Sequence, residues 1–302
     1  MANRSRGHVE DIQSLVATQL PDYRVDAVVV LGEGLDNSTY EVNGQLLVRI
    51  SKEPDPARRA ARLRREAHLL AAVAAISPLP VPEPSFTVAE QGCLAYPKLP
   101  GVPLLDVPQP QRAAHARSIA ATLGELLTAL HAVPVDRMAA LVSTDDQPLT
   151  QWRQEAAETF AAVAGKVPVA HRRAVEAFLA VPPPTAGYAP VFSHNDLGIE
   201  HVLVDPVAWR VTGIIDWSDA AIVDPACDFG LLYRDLGPAA LNAAIGGYRT
   251  DTNDVVTLRE RAVFYARCSV MEDLAYGIET GQGKYVDKSL AAMVWLFPAQ
   301  DE

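Results

Sequence analysis

Residues 193–219 constrain this chain more than any other stretch. They read Ser-His-Asn-Asp-Leu-Gly-Ile-Glu-His-Val-Leu-Val-Asp, then Pro-Val-Ala-Trp-Arg, then Val-Thr-Gly-Ile-Ile-Asp-Trp-Ser-Asp. Two short apolar runs, Val202–Val204 and Val211–Ile215, have the length and β-branched content of adjacent strands around a turn at Asp205–Arg210. That pairing brings Asp196, His201 and Asp216 to one end of a rigid element. A carboxylate after an apolar run needs a compensating partner, and a divalent cation supplies one. The segment therefore gathers groups able to handle phosphate and metal.

Phosphoryl transfer needs a carboxylate that orients the acceptor hydroxyl and metal ligands that neutralise the phosphates. The segment resembles the catalytic loop and metal-binding Asp of the antibiotic phosphotransferases, which share the protein-kinase fold. The His-Asn-Asp-Leu…His form looks most like the aminoglycoside 2″-phosphotransferases. Ile-Ile-Asp-Trp and Asp-Pro-Ala-Cys-Asp-Phe (224–229) also look like the macrolide 2′-phosphotransferases. The resemblance implies Asp196 as the catalytic carboxylate, with His201 and Asp216 as Mg2+ ligands. In ordinary protein kinases the position of His201 is an Asn, but imidazole also binds divalent metals. His194 is expected to brace the loop, and Asp228 to tie it to the helix beneath.

The order of elements agrees with that family. Residues 8–20 have Ile12, Leu15, Val16 and Leu20 on one helical face. Strands are expected at Val25–Gly32, Ser38–Val42 and Gln45–Ser51, the last two joined through a two-residue Asn43-Gly44 turn. Asp55-Pro56 opens a helix to about Ala75. Ser85–Val88 and Cys93–Tyr96 follow as a strand pair. From about residue 102 the pattern is mostly helical, at Arg112–Ala132, Gln151–Ala164, His171–Ala180, Asp228–Tyr233, Ala239–Tyr248 and Leu258–Thr280. The expectation is an α+β, bilobal protein-kinase-like fold. Residues 1–100 form a small β-rich N-lobe that binds nucleotide, and residues 101–302 a larger, mainly helical C-lobe with the catalytic loop and acceptor site.

Arg49 interrupts the apolar run Leu-Leu-Val-Arg-Ile and needs a partner, for which Glu66 on the next helix is the candidate. The resemblance places Arg49 where the family usually holds the nucleotide phosphates with Lys; macrolide kinases resemble this chain in having Arg. A guanidinium suits phosphate and carboxylate alike. Gly34 and Ser38 occupy the position of the phosphate-covering loop. Tyr96-Pro97-Lys98-Leu99-Pro100-Gly101 resembles the hinge, with Tyr96 as a bulky gatekeeper and Pro97 and Leu99 facing the purine. A bulky gatekeeper is similar to what GTP-using members carry, so GTP or ATP is the expected co-substrate. Asp219, Asp235, Glu272, Asp273, Tyr276 and Glu279 are the candidate acceptor contacts, and acidic groups there suit protonated amines.

Composition excludes several classes. The net charge of −11 speaks against a nucleic-acid partner, which wants a basic face. No apolar run has the length of a membrane span. The start lacks the apolar core of a signal peptide, and three cysteines far apart give neither a metal pattern nor a disulfide framework, so a cytoplasmic protein is expected. The leading expectation is phosphorylation of an aminoglycoside hydroxyl. A macrolide or another hydroxylated metabolite is the alternative. A catalytically silent kinase-like binding protein is a rival that the retained Asp196 and Asp216 oppose. A metal hydrolase built on His194, Asp196 and His201 lacks the i, i+4 spacing of a helical metal site.

Overall fold

The computed structural model describes residues 2–33, 37–185, 187–250 and 254–299. Its contacts divide the chain into two units, residues 1–76 with 80–100, and residues 77–79 with 101–302. The first unit contains α1 (Ala2–Gln19), β1 (Val28–Glu33), β2 (Asn37–Val42), β3 (Leu46–Ser51), α2 (Pro56–Ala74), β4 (Phe86–Val88) and β5 (Cys93–Pro97). The strands form one antiparallel sheet in the order β1-β2-β3-β5-β4. Ile12 and Val16 of α1 are buried against Tyr40, Val42, Leu46, Val48, Cys93 and Ala95 on one face of that sheet. Successive strand residues alternate faces, so Leu47, Arg49, Leu94 and Tyr96 belong to the other.

Local chemistry explains the joints. Asn43 and Gly44 both have left-handed backbones, φ 53° and 71°, which Asn and Gly tolerate best. The Asn43 Oδ1 accepts from Asp26 N and Ala27 N at 2.9 Å each, and its Nδ2 donates to Arg24 O at 2.7 Å. The turn is one residue longer than its sequence signal implies. Val42 lies opposite Leu46, which leaves Gln45 inside the turn. At α2, Asp55 caps the first turn by accepting from Arg58 N at 2.8 Å, and Leu63, Leu69, Leu70 and Val73 are buried.

The second unit runs β6 (Val102–Pro103), α3 (Gln109–His131), α4 (Val135–Met138), β7 (Ser143–Thr144), α5 (Leu149–Val163), α6 (Val169–Ala180), β8 (Val191–Ser193), β9 (Val202–Asp205), β10 (Arg210–Ile214), β11 (Ala221–Val223), α7 (Ala226–Leu236), α8 (Pro238–Gly247), α9 (Val255–Thr280) and α10 (Gly283–Leu296). α9 is the central helix and packs against α5, α7 and α10, while α3 packs on α8. Two three-stranded sheets, β10-β9-β6 and β7-β11-β8, carry the site loops. The expected hairpin forms between β9 and β10. Asp205 turns it by accepting from Val207 N at 2.8 Å and Ala208 N at 3.0 Å, and Trp209 stacks on His115 of α3 at 3.9 Å. Gly101 (φ 103°) has no room for a side chain, because a Cβ would stand 2.6 Å from Val204 O. All three cysteines are buried and free.

Candidate active site

β8 delivers the loop that carries the site. Ser193 and His194 are fully buried at its end. The chain then turns through Asn195, whose φ of 65° is left-handed. Such a backbone costs a non-glycine residue about 1–2 kcal/mol, and Asp228 of α7 holds it. That carboxylate accepts from Asn195 N and Leu197 N at 3.0 Å each and from the Ser193 hydroxyl. Asp228 is thus the loop anchor, itself fully buried. Behind it runs a directional chain. Tyr248 Oη lies 2.9 Å from His131 Nδ1, and His131 Nε2 lies 2.9 Å from Ser193 Oγ. Since Ser193 donates to Asp228, it accepts from His131 Nε2–H, and His131 Nδ1 accepts from Tyr248. Burial pushes the His131 pKa down to about 4, against a smaller opposing pull from Asp228, so the ring is neutral.

His194 is fixed in the same way. Its Nε2 donates to Ile215 O at 3.0 Å, and its Nδ1 accepts from Asp196 N at 3.3 Å. Burial holds its pKa below the ordinary value. Its ring packs 4.6 Å from that of the buried Trp217. His194 therefore braces the loop and offers no free nitrogen.

The three chemistry-bearing residues do converge. His201 Nδ1 lies 2.8 Å from Asp196 O and 3.4 Å from Asp196 Oδ2, and His201 Nε2 lies 3.8 Å from Asp216 Oδ2. A proton on Nδ1, donated to the Asp196 carbonyl, leaves the Nε2 lone pair facing Asp216. Asp216 stands at the end of β10 with a left-handed φ of 59°, and its Oδ1 accepts from Ser218 at 2.8 Å. One carboxylate oxygen and one imidazole nitrogen fit a magnesium ion that takes its other ligands from phosphate and water. Among the described residues no group of three or more His, Cys, Asp or Glu side chains forms a complete metal cage. Burial raises the Asp196 pKa, while His201 and His194 pull it back. Burial lowers that of His201, but Asp196, Glu200 and Asp216 outweigh it and the net shift is upward.

Beside this centre lies a pocket of about 410 Å³ that includes Asp196, Asp219, Glu272, Asp273, Tyr276 and Trp152 in its wall. Four of the six sequence-expected acceptor residues therefore line one pocket with Asp196. Asp235 lies beneath, its side chain 2% exposed, because Arg234 holds it at 2.7 and 2.9 Å and Ile199 N donates to it at 3.1 Å. Glu279 is exposed and outside the pocket lining. Sequence reading missed Arg234 and Lys288, whose side chains hold Asp235 and Asp273 from behind, and Glu200, which pairs with both cations. A signal existed for Arg234, a charge inside Phe-Gly-Leu-Leu-Tyr-Arg-Asp-Leu. His131 and Ser193 gave none.

In the first unit, Arg49 Nη1 and Glu66 Oε1 pair at 2.6 Å with both side chains about one-fifth exposed, at 19% and 22%. Tyr96 is buried on β5 opposite Leu47; Pro97 is exposed and Leu99 half-buried. Ser38 is a correction. The longer turn puts Ser38 opposite Ile50 and Thr39 opposite Arg49, so Ser38 faces α1 and lines a pocket with Asp11, Leu15 and Tyr40. It points away from the face that carries Arg49. Gly34 lies outside the described residues.

The phosphotransferase enzyme family (APH) matches residues 27–263, and the chain belongs to that family. A 52-residue segment is 46% identical to the uncharacterized protein YcbJ of Bacillus subtilis (strain 168), covering 16% of each chain. The GDP and kanamycin complex of APH(2″)-IIIa superposes with a TM-score of 0.67 over 94% of this chain and 97% of that one, at 22% identity. Macrolide 2′-phosphotransferase MphH from Brachybacterium faecium gives 0.59 over 97% and 100%, at 26% identity. The fold is kinase-like.

Proposed function

We propose that this protein moves the γ-phosphoryl group of GTP or ATP to a hydroxyl on an amine-bearing sugar of an antibiotic. The first unit is the nucleotide-binding lobe and the second carries the catalytic loop and acceptor site. The observation that carries this reading is the double position of Asp196: its carboxylate stands 3.4 Å from His201 and also lines the pocket with Glu272 and Asp219. An acceptor seated there presents its hydroxyl to Asp196. Asp196 orients that hydroxyl in line with the phosphorus and takes its proton late, as the bond to phosphorus forms. Its raised pKa suits a proton acceptor. The Asp228 anchor fixes the carboxylate, so little reorganisation accompanies the transfer.

His201 and Asp216 would hold magnesium, which supplies neutralisation of phosphate charge. Arg49, oriented by Glu66, supplies a phosphate-binding guanidinium. Tyr96 narrows the purine site, with Pro97 and Leu99 beside it. The neighbours support the reading, since one of them holds GDP and kanamycin together. Asp196→Asn tests it. Nucleotide affinity should persist and phosphate transfer to kanamycin or a macrolide should fall by about 10²–10⁴-fold. Transfer at the wild-type rate would remove Asp196 from this role, and nucleotide binding without turnover in the wild type would support a binding protein instead.

A further inference from the structure

The catalytic loop is held at two points, and both holders stand on one face of α7. Asp228 takes the first half, accepting from the Ser193 hydroxyl, Asn195 N and Leu197 N. Asp235 lies seven residues on, two helical turns along the same face. It accepts from Ile199 N at 3.1 Å. The second half of the loop is a closed turn, with His201 N donating to Gly198 O at 3.0 Å. The Glu200 side chain folds back over that turn, and a Cβ on Gly198 would stand 2.6 Å from its Oε1. Lys288 of α10 donates to Glu200 Oε2 at 2.7 Å and lies 3.5 Å from Asp235 Oδ2. One ammonium thus ties together the two carboxylates that grip residues 198–201. It is deeply buried, the Lys288 side chain being 2% exposed and that of Glu200 13%.

The two holders act on different groups. Asp228 binds the backbone on either side of Asp196, the carboxylate that orients the acceptor hydroxyl. Asp235 and Glu200 fix the turn that ends in His201, whose Nε2 faces Asp216 at 3.8 Å. Burial opposes a charge on Asp235, but Arg234 and Lys288 outweigh it and keep its pKa well below the ordinary value. It therefore meets Ile199 N as a carboxylate. Without Lys288, the carboxylates of Glu200, Asp235 and Asp273 would face Arg234 alone. Of the three, Glu200 has the most access to solvent, so repulsion would turn it outward and release the turn. We infer that Lys288 is a positioning residue for the metal ligand His201, acting through Glu200 and Asp235, while Asp228 positions Asp196. This role rests on the proposed phosphotransferase reading. α10 lies outside residues 27–263, the stretch matched to the family, so the tie is a feature of this chain beyond that match.

The test is electron spin-echo spectroscopy of Mn2+, a stand-in for magnesium, on the full-length chain with a non-hydrolysable GTP analogue. Nitrogen modulation of the echo reports an imidazole ligand directly. The wild type should show it, and Lys288→Met should lose it. The magnesium concentration for half-maximal transfer to kanamycin or a macrolide should rise by about 10–100-fold, as when the support of a metal-bound imidazole is removed. Asp228→Asn should keep the modulation and lose kcat instead. Glu200→Ala leaves two carboxylates against two cations, so it decides if Lys288→Met fails to fold, and it should lose the modulation too. The two variants change the local charge in opposite directions. A shared loss reports position, whereas opposite shifts in magnesium requirement would report charge alone and overturn the inference. Full nitrogen modulation in folded Lys288→Met or Glu200→Ala also overturns it. Phosphate transfer by a wild type without the modulation removes His201 as a ligand, and this role with it, but leaves the phosphotransferase reading standing. No transfer from GTP or ATP to either acceptor would remove that reading itself.

Discussion

His131 sets how the loop anchor responds to pH. Its ring is neutral in the folded chain, with a pKa near 4, whereas an unfolded histidine titrates near 6.5. Between those values the unfolded chain binds a proton that the folded chain does not. Stability is therefore complete above pH 6.5 and declines as pH falls toward 4, by about 3 kcal/mol for this one group. Glutamine can hydrogen-bond to Ser193 or Tyr248 without titrating. Denaturant unfolding at pH 7 and pH 4.5 should show a smaller acid loss in His131→Gln than in the wild type, and equal losses would dismiss the relay. Asp228→Asn should be harsher. Its amide would meet a backbone N–H now satisfied by carboxylate, at a cost of about 2–3 kcal/mol, and kcat should fall while the nucleotide KM holds. Tyr96 belongs to this scale as well. If its ring narrows the purine site, GTP is used at least as well as ATP, and Tyr96→Ala moves relative kcat/KM toward ATP. A strong wild-type ATP preference would end the gatekeeper reading.

Among the elements, those specified by local chemistry were legible. Asp55-Pro56 announces α2 because capping involves residues three apart, and the Asp205 turn announces β9–β10. The Asn43-Gly44 signal located the turn but not its length. One residue of slip reverses the face of every strand side chain, so placing Ser38 at the position of the phosphate-covering loop left open which face of the sheet it takes, and the observed register sets it opposite Ile50. α10 was not anticipated at all. It has no capping side chain at Gln282, and its buried face includes Lys288 and Ser289, so its pattern is not that of an apolar stripe. Those polar groups are buried only because α7 and α9 bring carboxylates to meet them, which is long-range information. The loop around Asp196 was legible because its residues are contiguous, whereas its support from α3 and α8 comes from far along the chain. Gly101 gives a test at this scale. Gly101→Ala must shift β6 away from Val204 O and adopt a backbone unfavourable for alanine, so unfolding should be easier by about 2–4 kcal/mol. Gly165 has open space around it, and Gly165→Ala should be neutral or stabilising by up to about 1 kcal/mol. Equal effects would show that the β6–β9 approach is not tightly held.

Over the whole molecule, the charge of −11 acts on any ligand before contact is made. A cationic acceptor is drawn toward such a surface and an anionic nucleotide is not, and the field reaches about 10 Å at 0.1 M salt. Recognition by the groups that line the pocket with Asp196 is different in kind, because it operates at contact. The two effects separate experimentally. Raising sodium chloride from about 50 to 300 mM screens the long-range attraction, so kcat/KM for the acceptor should fall. The fall should be steeper for kanamycin than for a singly charged macrolide, since steering scales with ligand charge even where final binding does not. The ratio of kcat/KM between the two should therefore shift toward the singly charged compound as salt rises. The nucleotide kcat/KM should change less, or in the opposite direction, because the overall field repels it. A response to salt that is flat and identical for both acceptors would mean that the acidic surface serves solubility alone, with recognition confined to the groups around Asp196 and Glu272.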